Sequence, residues 1–403
     1  MPFERGATGT GEAELVLDFA LTDDQKELVA SARSFARDVV APVVLHMDET
    51  NEYPRDVVGA MADKGFMGLT IPDAYGGGGR PLIDSLLVVE ELAKVCGTVA
   101  RICVDANTAV QKAIAAYGTA AQKQTYLPPI VAGDKPAIAI TEPDAGSAAT
   151  DLVTRASAAQ SGYILNGEKR WITGAGVTEL YLVFARFDET PGAAGIGALL
   201  VPADTPGLSV PNVRQMMGVR GMPEGDVVFD GCLVPTENLL VPPGEGFRKL
   251  MGAYNLQRLG AATVALGVAQ GAFDLAATYA VEREQFGKPI GEFQGIQWML
   301  ADMHQRLESA RLLIWRAAVN AGDGFPDKTE AALAKVAAAE MAIDVTNDAM
   351  QIHGAVGYSR DLPLERMVRD ARMFTIGGGT AQVQRNLIGG EILKNARRQG
   401  GGA

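Results

Sequence analysis

Two helix-patterned stretches flank about a hundred residues of short strand-forming runs, and this succession constrains the fold more than any single motif. From residue 21 to about 133 apolar residues return at helical spacing. Thr22-Asp23-Asp24-Gln25 reads as a capping box, with Gln25 placed to reach back to the cap. Leu28, Ala32, Phe35, Ala36 and Val39 continue the stripe until Pro42, which is expected to stop the run. From about 138 to 241 the pattern changes to compact runs at 163–165, 181–184, 198–201 and 226–229, bounded by Gly, Pro and Asp. Helical pattern is too scarce there for βαβ units. From 244 the chain is helical again and alanine-rich, with segments at 261–283, 294–321 and 329–352 long enough for bundle helices. The expectation is a mainly α protein with a central β domain: a flexible leader (1–20), an N-terminal helical domain (21–135), a middle β domain (136–243), a C-terminal helical bundle (244–397) and a tail (398–403).

Charge and composition remove several classes of function. Lys and Arg number 36 against 48 Asp and Glu, a formal net charge of −12, opposite to what a phosphate-tracking nucleic-acid binder needs. Cys96, Cys103 and Cys232 form no CxxC pair, which suggests a reducing, cytoplasmic setting and no cysteine-rich zinc site. His46, His304 and His353 are too dispersed for a metal cluster. No apolar run approaches the roughly 18–20 residues of a membrane span, and the first fifteen residues lack the apolar core of a secretory signal. Gly76 to Gly79 follows no strand, so it reads as a turn and not as a phosphate cradle.

Five blocks carry chemistry. Residues 138–147 (Ile-Ala-Ile-Thr-Glu-Pro-Asp-Ala-Gly-Ser) mark the change from helix to sheet, and Lys169-Arg-Trp-Ile-Thr-Gly-Ala175 follows some thirty residues later. Arg283-Glu-Gln-Phe-Gly287, Gln351-Ile-His-Gly-Ala355 and a C-terminal block from Arg369 through Gly377-Gly-Gly-Thr-Ala-Gln382 complete the set. In content and order they resemble the acyl-CoA dehydrogenase family over residues 21 to about 397. The resemblance implies an N-terminal helical domain, a middle β-barrel domain, a C-terminal four-helix bundle, and FAD as cofactor. It assigns Ile138, Ile140 and Thr141 to the flavin edge, Trp171 and Thr173 to one flavin face, and Ser147 to the cofactor diphosphate or the substrate's pantetheine. Without the resemblance Trp171 would read as a core aromatic. Arg283, Phe286 and Gln294, with Gln351 and Gly354, resemble the residues by which a neighbouring subunit holds the adenosine diphosphate arm; an arginine fork suits a diphosphate. Arg283 alone would read as a solvated helix-end charge. Thr380 and Gln382 would contact the same cofactor. A homotetramer with FAD at the subunit interface is therefore expected.

The departures from the family are as informative. Its catalytic glutamate occupies one of two places, which here are Gly378 and Gln257, and neither is a carboxylate. A neutral amide cannot take a proton near neutral pH, and general-base catalysis is worth about 10²–10⁴ in rate. Asp105 is the alternative base. Arg101 falls on the helix that lines the family's acyl pocket, where it either pairs with Asp105 four residues on or meets an anionic substrate tail. Gln257 in place of the base, Gly378 and a pocket arginine together resemble the branch that releases sulfite from 3-sulfinopropionyl-CoA. There Arg101 would clamp the sulfinate, Gln257 would orient the tail or a water, and the Gly378 backbone N–H would hold the thioester carbonyl. Asn255 and Arg258, beside Gln257, are further substrate-binding candidates. Two other readings stand: a dehydrogenase with an unconventional base, passing electrons to an electron-transferring flavoprotein, and a flavin- and acyl-CoA-binding scaffold without turnover.

Overall fold

The computed structural model describes residues 19–400, together with a short antiparallel pair, β1 (Arg5–Gly6) and β2 (Glu14–Leu15). The expected leader otherwise lies outside the described residues, as do residues 401–403 of the tail.

Seven helices come first: α1 (Asp23–Phe35), α2 (Val44–Thr50), α3 (Arg55–Asp63), α4 (Leu82–Ala93), α5 (Gly97–Asn107), α6 (Ala109–Tyr117) and α7 (Ala120–Val131). The capping box at Thr22 is formed in both directions, Gln25 N–H to Thr22 Oγ at 3.2 Å and Thr22 N–H to Gln25 Oε1 at 3.1 Å. Pro42, however, does not stop the helical path. A π turn (Ala36–Val40) and a 3₁₀ turn (Ala41–Val43) carry it into α2. The proline falls in the first turn of the new segment, where its missing N–H costs nothing. The glycine loop is a turn, as its sequence suggests. The N–H groups of Gly78, Gly79 and Arg80 are consumed by the carbonyls of Gly68, Ile71 and Leu69.

The sheet contains β3 (Ala137–Ala139), β4 (Arg155–Ala159), β5 (Gly162–Thr173), β6 (Leu180–Arg186), β7 (Ile196–Pro202), β8 (Leu208–Arg214), β9 (Glu224–Pro235) and β10 (Leu239–Val241). Its order is β10-β7-β6-β4-β5-β9-β8, with β3 parallel to β6, and the end strands β10 and β8 are not paired with each other. Alternate residues of β5, β6, β7 and β9, among them Leu165, Val183, Leu199, Val201, Val227 and Phe229, close a separate core inside this domain. Opposite-face residues such as Leu182, Phe184 and Leu200 join the helical core instead.

The remaining elements are α8 (Gly246–Glu282), the β11 (Glu284–Gln285) and β12 (Lys288–Pro289) hairpin, α9 (Gln294–Ala321), α10 (Lys328–His353), α11 (Ala355–Tyr358), α12 (Leu364–Met373) and α13 (Ala381–Gly400). α8 begins fifteen residues before the expected 261, because residues 255–269 are buried without a break and show no amphipathic stripe. Its 37 residues are long and apolar enough to cross a membrane, contrary to the expectation from uninterrupted runs. Most of that window (78%) is buried inside the protein, so it is a core helix. Glycine lets α4 and α5 approach it closely. A Cβ at Gly267 would lie 2.5 Å from the Glu90 carbonyl oxygen, and one at Gly260 would lie 2.3 Å from Val104.

Arg369 and Asp370, from the C-terminal block, knit the three regions together. Arg369 reaches Asp48 of α2 at 2.7 Å and the Met217 carbonyl at 3.1 Å, while Asp370 accepts the Val219 N–H at 2.5 Å.

Candidate active site

A cavity of about 350 Å³ opens between α5, the first half of α8, the β5–β9 edge and the segment 373–380. Arg101, Gln257 and Gly378 line it together, although the sequence separates them by more than 250 residues. Ile138, Ile140, Thr141, Ser147, Trp171, Thr173 and Thr380 line it as well.

Gln257 is fixed at both ends. Its Nε2 donates to Asp105 Oδ1 at 2.6 Å, and its Oε1 accepts from Thr108 Oγ1 at 2.7 Å. Asp105 is further bound by Arg101 Nε at 3.2 Å and by Lys135 Nζ, 2.9 Å from Oδ2. Burial alone would raise the Asp105 carboxyl, but Lys135 and then Arg101 outweigh it and hold it below the usual carboxylate range. An anion so stabilised is a poor base, which removes the main reason to assign Asp105 that task. Arg101 does pair with Asp105, as one reading of the sequence required. Only its Nε is engaged, and the two terminal nitrogens have no hydrogen-bond partner among the described residues.

The wall that carries Trp171 is set by a bulge. The β5–β9 register slips between Lys169 and Ile172, and Trp171 takes a left-handed φ of 60°. Such a bulge re-aims a side chain. The indole stands 51% exposed at the cavity rim, with the Arg214 guanidinium 4.5 Å from its centroid. The adjoining strand is anchored from below. Lys169 Nζ meets Glu142 at 2.7 Å and the Ile140 carbonyl at 3.0 Å, while Glu142 accepts the N–H groups of Val153 at 2.6 Å and Thr154 at 2.9 Å. Thr173 Oγ1 donates to Glu224 Oε1 at 2.7 Å. Across the cavity, Gly378 (φ 74°) and Gly379 (φ 92°) expose backbone without side chains, and buried Lys335 donates to the Gly379 carbonyl at 2.5 Å. A flat aromatic wall, the Thr141 and Ser147 hydroxyls and a bare glycine backbone fit a planar heterocycle with hydrogen-bonding edges.

Three family descriptions match in succession: the acyl-CoA dehydrogenase N-terminal domain at residues 22–134, the middle domain at 137–232 and the C-terminal domain at 244–393. The chain belongs to the acyl-CoA dehydrogenase family. Among curated relatives, the 3-sulfinopropanoyl-CoA desulfinase of Paraburkholderia xenovorans is 54% identical over 93% of this chain and 97% of its own. The short-chain-specific acyl-CoA dehydrogenase of Clostridium acetobutylicum is 39% identical over 94% of this chain and 100% of its own. The solved butyryl-CoA dehydrogenase of Megasphaera elsdenii superimposes with a TM-score of 0.91 at 37% identity, covering 94% of this chain and 100% of that one. A structure described as PigA with FAD and proline aligns at 0.89 and 27% identity, covering 93% and 99%.

Other family positions lie away from the cavity. Asn255 and Arg258 are buried partners, Arg258 Nη1 to Asn255 Oδ1 at 2.6 Å, and Asn255 Nδ2 is spent on the Pro326 carbonyl at 3.0 Å. Neither lines the cavity, which weakens the substrate-binding assignment made from their position beside Gln257. Gln382 points to solvent from the first turn of α13. Arg283, Phe286 (93% exposed), Gln294, Gln351 and Gly354 are on the outer surface and touch no part of this chain's cavity. Three residues escaped the sequence reading: Lys135, Glu224 and Lys335. The first two stand in Asp-Lys-Pro and Pro-Glu-Gly contexts that read as solvated turns, and Lys335 reads as an ordinary charged helix position.

Proposed function

We propose that this enzyme removes sulfinate from a short anionic acyl-CoA, converting 3-sulfinopropanoyl-CoA and water into propanoyl-CoA and bisulfite. The observation that carries the proposal is the pair of unengaged Arg101 nitrogens in a cavity whose base position holds an amide tied to an ionised carboxylate. The guanidinium fork matches the two sulfinate oxygens and holds them bidentately. Gln257 closes the cavity beside the tail without competing for a proton. The backbone at Gly378, steadied through the Lys335 bond to Gly379, meets the thioester carbonyl. Loss of sulfur dioxide leaves the bonding pair on carbon, so no strong base is required. FAD, the family's cofactor, supplies an electron-pair acceptor beside that carbon when bound. Thr141, Trp171, Thr173 and Thr380 would hold its ring.

The adenosine arm requires a second copy of the chain. Arg283 follows Gln257 by 26 residues along α8, which at 1.5 Å per residue places it about 39 Å away on a straight rod. That exceeds what one dinucleotide spans, so the hairpin serves a neighbour's cavity, in keeping with a homotetramer. Three free, buried cysteines suit the cytoplasm.

Sulfite release from 3-sulfinopropanoyl-CoA by purified, FAD-loaded protein, without an electron acceptor, tests the reading. Bleaching of the flavin by acyl-CoA with no sulfite formed would replace it with dehydrogenation and an electron-transferring flavoprotein as partner. Binding with neither outcome would leave a scaffold.

A further inference from the structure

The desulfination reading leaves one requirement unmet: the carbon that loses sulfur must gain a proton. Asp105 is ionised and bound on both oxygens, and Gln257 and Arg101 donate no proton to carbon near neutrality. One carboxyl in the cavity is not committed in this way. Glu224 opens β9 directly opposite Thr173 in the β5–β9 register. Thr173 Oγ1 fixes its Oε1 at 2.7 Å, while Oε2 has no hydrogen-bond partner among the described residues, and Glu224 lines the cavity. Among the described residues no cation lies within ion-pair distance of it. Arg214, its neighbour on β8, is occupied by Asp226 at 2.6 Å.

Resting on the desulfinase reading, we propose that Glu224 is the acid of the pocket, carrying a proton while the substrate's anionic tail lies on Arg101 and passing it to the carbon that loses sulfur. In this step the C–S bond breaks and its electron pair stays on carbon. A C–H bond forms as the Glu224 O–H bond breaks. The released sulfur dioxide takes up water to give bisulfite and a proton, which restores Glu224. No oxidant or reductant is consumed.

Charge balance in the cavity favours this assignment. Of the charged residues that line the cavity, Arg101 and Lys135 contribute two positive charges and Asp105 one negative, so a neutral Glu224 leaves a net charge of +1 for a singly charged sulfinate to cancel. An ionised Glu224 would leave the bound complex one charge negative. The groups facing Glu224 are Arg101, Lys135, Asp105 and the phenol of Tyr254. Burial, opposed by Arg101 and the Thr173 hydrogen bond, pushes its carboxyl up to about 7. An acid poised near the working pH is suited to proton transfer.

The test is Glu224→Gln in the FAD-loaded enzyme. The amide oxygen still accepts from Thr173, so a purely structural role is preserved. The unsubstituted enzyme is expected to lose rate above about pH 7; the variant is expected to lack that decline and to show a fall in kcat for sulfite release of about 10²–10⁴ with little change in KM. Glu224→Asp should recover part of the rate. A Glu224→Gln enzyme with unaltered kcat, or with the alkaline decline intact, overturns the proposal while leaving the desulfinase reading standing. Absence of sulfite from the unsubstituted holoenzyme overturns that parent reading, and the acid role with it.

Discussion

A glutamate at position 257 would match the helix base that the resemblance to the family implies there, yet the contacts of Gln257 predict that it would not act as a base. The Gln257 amide nitrogen is 2.6 Å from Asp105 Oδ1. Two carboxylates at that separation would repel by about 6 kcal/mol even at an effective dielectric constant of 20. One of them must keep a proton. Lys135 and Arg101 hold Asp105 ionised, so the proton stays on the introduced group and bridges to Asp105 as the amide does now. Its titration moves well above the ordinary carboxylate range. In Gln257→Glu, anaerobic flavin bleaching by butyryl-CoA at pH 7 should therefore stay within about threefold of the parent, far short of what a working base provides. Combining it with Asp105→Asn moves the negative charge to 257 and preserves the local total. The double variant should bleach about 10²–10⁴ times faster. Matching thermal midpoints and flavin content would show both proteins folded and loaded. A single variant that bleaches as fast as the double would refute the coupling. So would a folded, loaded double variant that gains nothing.

Three further outcomes follow from the same contacts. Arg101→Met should weaken succinyl-CoA binding by roughly 10–100-fold, the equivalent of about 1.5–3 kcal/mol for charge-assisted hydrogen bonds, and leave butyryl-CoA nearly unchanged; equal losses by calorimetry would make Arg101 structural. Lys169→Met strands the buried Glu142 carboxylate and should cost about 3–5 kcal/mol in urea unfolding. Adding Glu142→Leu should not restore stability, because the Val153 and Thr154 N–H groups then lose their acceptor. Glu224 has a folded value of about 7 against an ordinary 4.5, so its stabilising contribution is complete below about pH 4.5 and disappears as pH rises through 7. Glu224→Gln should flatten that part of the stability–pH curve, removing at most about 3 kcal/mol, less for its partial contact with solvent. An unchanged slope would show that the group titrates normally.

How legible the molecule was in its sequence depended on whether a residue's partners were local. The Thr22 capping box and the limits of α9 follow from neighbours within a few positions, and the structure has both. The start of α8 and the path through Pro42 were misread for one reason: total burial and a π turn each remove the 3.6-residue stripe that periodicity detects. At the site, Arg101, Gln257 and Gly378 were visible because they depart from recognisable blocks. Lys135 and Glu224 were not. Each borders a proline in a polar context, and only tertiary packing turns them inward to meet Asp105 and Thr173. The Arg369–Asp370 pair is the converse case. It belongs to a block that carries chemistry, but its own contacts join regions of the chain instead of lining the cavity.

If the hairpin beyond the far end of α8 completes a neighbour's cavity, the catalytic unit is a property of pairs of chains. A defect in the cavity and a defect in the hairpin can then be confined to separate molecules. Co-expressing Arg101→Met chains with Arg283→Ala chains should then yield hybrids in which about a quarter of the sites combine an intact cavity with an intact hairpin, although each parent alone is impaired. Holoenzyme content should likewise decline on dilution, so that specific activity measured at low concentration understates the capacity of the same preparation when crowded.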